Sequence, residues 1–127
     1  MNFSLTEKEA VERLESQFAA AQQMLNNKDQ LDSFLQLLDR KLKVMPIDPE
    51  KIASVPTMVS FLQKYIEKGY TGVNISTVVS VLAALIYLAS PLDGIPDTLD
   101  EIGYIDDIAV IDVCWKSVGA EVEAYLK

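Results

Sequence analysis

The sequence predicts an all-α fold: a single domain of four to five helices packed around an apolar central helix. Apolar residues recur every three or four positions along most of the 127 residues, which is the period of an amphipathic helix. Half of the residues are hydrophobic (50%), so a chain of one-domain length can bury a sizeable core without a metal or a disulfide. Residues 69–92 carry no charge, which predicts one helix that is apolar on every side.

The first two helices are predicted from their caps and apolar stripes. Thr6 and Glu9 have the spacing of a capping box, so we expect a helix over residues 6–26. Its stripe consists of Val11, Leu14, Phe18, Ala21 and Leu25. A second helix is expected over residues 29–43, with basic side chains at its C-terminal end, where the helix dipole favours them. Its stripe consists of Leu31, Phe34, Leu35, Leu38 and Leu42.

Three further helices complete the predicted bundle. After a short piece that begins at Asp48-Pro49, a helix is expected over residues 56–68, with Gly69 as its left-handed C-cap. The central helix is expected over residues 76–89, because only Ser80 interrupts the apolar run from Val78 to Ala89. The last helix is expected over residues 106–125.

Charge is unevenly distributed along the chain. Eleven basic and nineteen acidic residues give a net charge of −8. Residues 1–68 carry nine basic and ten acidic residues, whereas residues 69–127 carry two basic residues against nine acids. Such a surface repels a phosphate backbone, so we expect no nucleic-acid binding. An acidic surface also favours the approach of a basic protein partner.

The composition removes most catalytic chemistry. The chain has no histidine, which excludes triads that rely on an imidazole base and also histidine metal sites. Cys114 is the one cysteine, so there is no internal disulfide, and its apolar helical surroundings predict a packed side chain and not a nucleophile. There is no glycine-rich phosphate loop. We therefore expect neither an enzyme nor a cofactor.

The most distinctive stretch follows the central helix. It reads Tyr-Leu-Ala-Ser-Pro-Leu-Asp-Gly-Ile-Pro-Asp over residues 87–97, and Gly-Tyr-Ile-Asp-Asp over residues 103–107. With the apolar helix before it, this pattern resembles the YkvA-like family of small bacterial proteins (domain of unknown function 1232) over roughly residues 74–113. The resemblance implies a helical fold but no established activity, and many members look membrane-associated. Gly94 and the pair Asp100-Glu101 depart from the family's more apolar pattern and weaken the membrane interpretation.

The residues of this signature also have a structural interpretation of their own. Each proline pushes the residue before it out of the helical conformation, so the segment is expected to form a rigid double turn. Aspartates can accept backbone N–H groups in such turns, and Asp106 can cap the last helix. The expected structural residues are Ser90, Pro91, Asp93, Pro96, Asp97, Gly103, Tyr104 and Asp106. Asp100, Glu101 and Asp107 are left as exposed acids for a partner.

The leading hypothesis is a non-catalytic acidic binding protein of the cytoplasm, for example an inhibitor or immunity-type protein that covers a basic toxin or enzyme. The first residues lack the basic and apolar regions of a signal peptide. Two alternatives stay open. One is a membrane-associated protein that inserts the helix at residues 76–89. The other is a protein that binds a divalent cation through the acids of residues 93–107, although their spacing is not that of an EF-hand.

Overall fold

The computed structural model describes residues 6–44, 49–69, 72–89 and 105–126, and in these ranges every regular element is helical. The all-α prediction is therefore confirmed. The elements are α1 (Glu7–Glu15), α2 (Phe18–Leu25), α3 (Lys28–Leu42), a 3₁₀ helix (Pro49–Ile52), α4 (Ser54–Glu67), α5 (Ile75–Ala89) and α6 (Ile105–Leu126).

The helix predicted over residues 6–26 is divided into α1 and α2. The predicted capping box is present: Thr6 Oγ1 accepts the Glu9 N–H over 3.1 Å, and the Glu9 carboxylate accepts the Thr6 N–H over 3.3 Å. The continuous helix was a wrong prediction. Ser16 Oγ donates to the carbonyl of Arg13 over 2.6 Å, and the Gln17 N–H reaches the carbonyl of Leu14, only three residues back. A serine bonded to its own helix in this way competes with the regular ladder, which tightens and breaks here.

The next two helices lie close to their predicted positions. Helix α3 begins after Asn27, whose side chain accepts the Gln30 N–H over 3.1 Å. Helix α4 begins at Ser54, two residues ahead of the predicted start, because Pro56 falls in the first turn, where its missing N–H is not needed. The predicted left-handed cap at Gly69 is confirmed by a φ of 70°.

Helix α5 is the hydrophobic centre of the fold, as predicted. Eleven of its fifteen residues are buried, so all of its sides face protein, although Ile75 in the first turn is 58% exposed. Helices α1, α2, α4 and α6 all pack against it. The buried apolar residues of the six α-helices join one cluster with those of the 3₁₀ helix. A helix surrounded in this way buries nearly all of its apolar surface, which is the main stabilising contribution that it can make.

Helix α6 is the longest element, with 22 residues, and it packs against α1, α4 and α5. It begins at Ile105, one residue earlier than predicted. Asp106 is described only as helical backbone in α6, so its predicted capping role stays a prediction.

Candidate partner interface

The acidic segment that the sequence singled out lies mostly outside the described residues. This holds for the predicted partner-binding residues Asp100 and Glu101. It also holds for the structural residues Ser90, Pro91, Asp93, Pro96, Asp97, Gly103 and Tyr104. Asp106 and Asp107 are described only as helical backbone at the start of α6. Their proposed roles therefore stay predictions, and the described part of the chain that directly follows this segment in sequence is the first half of α6.

An open groove of roughly 510 Å³ runs between α1 and the first half of α6. Its lining includes four apolar side chains, Ala10, Ala109, Val113 and Trp115. Ala10 is buried, while the other three are half-buried. The two alanines, one on each helix, fill little of the space between the helices, and the larger valine and tryptophan complete the apolar lining on α6. The groove is thus an apolar depression with charged residues in its lining.

Charged side chains stand beside this depression. Glu7 and Asp112 line it together with Lys116, whose Nζ lies 4.0 Å from the Glu7 carboxylate. Because the Lys116 and Glu7 side chains are 76% and 71% exposed, this ion pair contributes little to stability. Partial desolvation raises the pKa of the Asp112 carboxyl. The groove therefore combines apolar lining with a carboxylate that water solvates incompletely.

The position of Trp115 depends on a glycine one helical turn later. A Cβ atom at Gly119 would lie 3.0 Å from Cε2 of the Trp115 ring, so a larger residue would press on the indole. Gly119 is itself buried by the ring. The glycine thus lets the indole lie against its own helix, next to the groove. Sequence reasoning did not identify this site, because the spacing of Trp115 and Gly119 indicates only how the indole packs on its own helix and not which helix lies opposite.

A second open cleft, of roughly 530 Å³, lies at the opposite end of α6. Glu121 lines it and accepts a hydrogen bond of 2.6 Å from the hydroxyl of Thr77, which is 3% exposed. Tyr125 also lines it and packs edge-to-face on Phe61, with ring centroids 5.3 Å apart. These contacts tie α6 to α4 and α5. We interpret them as structural, since the Glu121 carboxylate and the Tyr125 ring are both used in contacts inside the fold.

The cysteine is packed, as predicted. Cys114 is fully buried and its thiol donates to the carbonyl of Ser80 over 3.4 Å. Burial raises its pKa to about 12, so the reactive thiolate is scarce at neutral pH. Cys114 therefore joins α5 to α6.

Two features of the described residues bear on the alternatives that the sequence left open. In residues 6–44, 49–69, 72–89 and 105–126, no group of three or more acidic or cysteine side chains is placed to hold a metal ion. Within the same ranges, none of the helices combines the length and the hydrophobicity that crossing a membrane takes.

Comparison with known proteins gives a family and one named relative. Residues 77–111, which include most of α5 and the start of α6, match a family described as a protein of unknown function (DUF1232). The chain is 32% identical over 76 residues to the uncharacterized membrane protein YkvA of Bacillus subtilis (strain 168). This alignment covers 60% of the present chain and 72% of the relative. No solved structure matches the chain.

Proposed function

We propose that this chain, which belongs to the YkvA-like family of proteins of unknown function (DUF1232), is a non-catalytic acidic protein that binds a basic partner. The absence of histidine and the buried state of the single cysteine support a role without covalent or acid–base chemistry. The proposed partner is a protein, and the proposed compartment is the cytoplasm.

One observation carries this proposal, namely the concentration of acidic charge in the second half of the chain. Residues 69–127 hold nine acids and two bases. None of these acids falls within α5, so they lie after it, in the segment 90–104 and on α6. Asp112 and Glu123 have exposed side chains on α6, and Asp112 is partly desolvated by its neighbours. A surface of one sign raises the association rate with a partner of the opposite sign and disfavours partners of its own.

A concrete version is an inhibitor or immunity-type protein that covers a basic toxin or enzyme. Such a role needs a stable scaffold and a complementary surface, and it needs no active site. The predicted contacts are the exposed acids Asp100, Glu101 and Asp107.

The test is a salt-dependent capture of basic proteins from the native host, with purified chain as bait. The first variant neutralises the predicted contacts (Asp100→Asn, Glu101→Gln and Asp107→Asn together). Its matched control removes the same charge from exposed positions on α3 (Asp29→Asn, Asp32→Asn and Asp39→Asn together). We expect the first variant alone to lose a basic protein that the wild type retains at low salt. Equal retention by all three chains, or no basic protein bound by the wild type, would contradict the proposal.

A second pair of substitutions separates binding from scaffolding in the same segment. If Asp93 and Asp97 accept backbone N–H groups in turns, Asp→Ala should lower the free energy of unfolding by about 1 kcal/mol at each, while Asp→Asn costs little. A thermal melt in which Asp93→Asn is as damaging as Asp93→Ala would remove the capping role of that residue. Changes that spare stability but abolish capture would assign these acids to the partner as well.

Membrane association is the second candidate, because the relative is named a membrane protein. The apolar element available for insertion is α5, and its burial against four other helices means that insertion would require the bundle to open. Flotation with zwitterionic and anionic vesicles tests this. Stable flotation that persists in high salt would favour insertion, whereas chain left in the soluble fraction with both vesicle types favours the acidic binding protein.

A further inference from the structure

We propose that the groove between α1 and α6 is the docking site for the basic partner, and that it receives a short amphipathic segment of that partner. Apolar side chains of the segment would pack on Trp115, and a lysine or arginine would pair with Asp112 and Glu7. The inference rests on the proposed function and adds to it the site and the kind of segment that is bound.

The apolar lining supplies the first argument. The groove has a volume of roughly 510 Å³, which gives room for side chains of a partner segment. Trp115 is half-buried beside it, and tryptophan is enriched at the centres of protein interfaces because one side chain covers a large area. A fully apolar partner segment would place no cation beside Asp112, so the lining alone does not decide the occupant.

Charge complementarity indicates that the bound segment is basic. The groove contains two carboxylates and one ammonium group, in a chain with a net charge of −8. The partial burial that raises the pKa of Asp112 also removes some of the water around its carboxylate. A cation placed next to this carboxylate therefore interacts with it more strongly than with a fully exposed acid. Lys116 presents no strong competition, since its 4.0 Å contact with Glu7 is long and exposed.

Trp115 also provides the measurement, because it is the one tryptophan of the chain and its emission reports directly on the groove. The probe is a synthetic amphipathic helical peptide of lysine and leucine. The control peptide has glutamate in place of each lysine. We expect a saturable change in Trp115 emission with the basic peptide, weaker at high salt, and none with the acidic peptide.

Two double variants test the role of the groove acids. Glu7→Gln with Asp112→Asn removes both carboxylates, while Glu12→Gln with Glu123→Gln removes the same charge from exposed positions on the same two helices, outside the groove. We expect the groove variant to weaken peptide binding about tenfold and the control variant to weaken it by less than about twofold. Circular dichroism establishes that both variants remain folded.

The outcomes separate this inference from the proposed function. An emission that does not respond to the basic peptide, or an equal loss in both double variants, overturns the groove as the docking site. If the native basic partner is still captured, and only the variant at Asp100, Glu101 and Asp107 loses it, the proposed function stands and the groove does not. If the wild type captures no basic partner, the proposed function fails as well. A response to zwitterionic vesicles in place of the peptide would assign the groove to a membrane surface.

Discussion

Replacement of Gly72 by alanine should lower the free energy of unfolding by about 2–3 kcal/mol, because two separate costs meet at this position and the reduced freedom of the unfolded chain offsets only about 0.4–1 kcal/mol of them. Its φ of 100° lies where a residue with a side chain is strained by about 1–3 kcal/mol. The added Cβ would lie 2.9 Å from Cε1 of Tyr125, so the ring must move. That movement disturbs the edge-to-face contact of the Tyr125 ring with Phe61, which stabilises the fold by about 0.5–1.5 kcal/mol. It also disturbs the cation–π contacts of Lys64 and Lys68 with the ring, each of which contributes less.

Gly69→Ala is the matched control for this change. Gly69 has a φ of 70°, and nothing lies within 4 Å of the Cβ position there, so only the backbone cost applies. That cost is about 1–2 kcal/mol, partly offset by about 0.4–1 kcal/mol from the reduced freedom of the unfolded chain. We expect a net loss of about 1 kcal/mol, or about 4 °C in Tm for a chain of this size.

The assay is urea unfolding followed by circular dichroism, for each variant alone and in a Tyr125→Ala background. Without the Tyr125 ring, the effect of Gly72→Ala should fall toward that of Gly69→Ala, with a coupling free energy of about 1–2 kcal/mol. Equal losses from the two glycine variants in the wild-type background, within about 0.5 kcal/mol, would refute the steric argument. So would a loss at Gly72 that is unchanged by removal of the ring.

Three further predictions concern buried or partly desolvated polar groups. Cys114 should react with iodoacetamide at pH 8 only as fast as the protein opens, because burial raises the pKa of its thiol to about 12; fast labelling of the native protein would contradict this. Desolvation raises the folded-state pKa of Asp112, so its ionised form destabilises the fold above that pKa. Asp112→Asn should therefore raise Tm slightly at pH 7, and this gain should shrink as the pH falls through the folded-state pKa. Glu123→Gln is the exposed control on the same helix and should show no such pH-dependent gain. Thr77→Val should cost about 1 kcal/mol in denaturant unfolding, since Glu121 loses a buried hydroxyl donor, and a Glu121→Ala background should make the same change nearly neutral.

Local chemistry accounts for the predictions that the structure confirms. The capping box of Thr6 and Glu9 and the left-handed glycine at Gly69 were readable because each depends on neighbours within four residues. The central position of α5 could be predicted from its lack of charge, since a helix that is apolar on every side has no polar face to expose to water. The break at Ser16 was missed because the apolar stripe continues through it. A serine hydroxyl that bonds to the carbonyl of Arg13 leaves no mark on that periodicity.

The candidate groove could not be predicted, because its two sides come from residues about a hundred positions apart. In the sequence, Ala10 and Ala109 are ordinary residues of two separate helices, and no local pattern indicates that these helices pack against each other. The sequence by itself determined the helical class, the apolar centre, the acidic second half and the absence of histidine chemistry, since these follow from composition and short-range period. Tertiary structure decided that α1 lies against α6, that Trp115 borders a groove there, and that Asp112 is partly desolvated, because each depends on packing between helices distant in the chain.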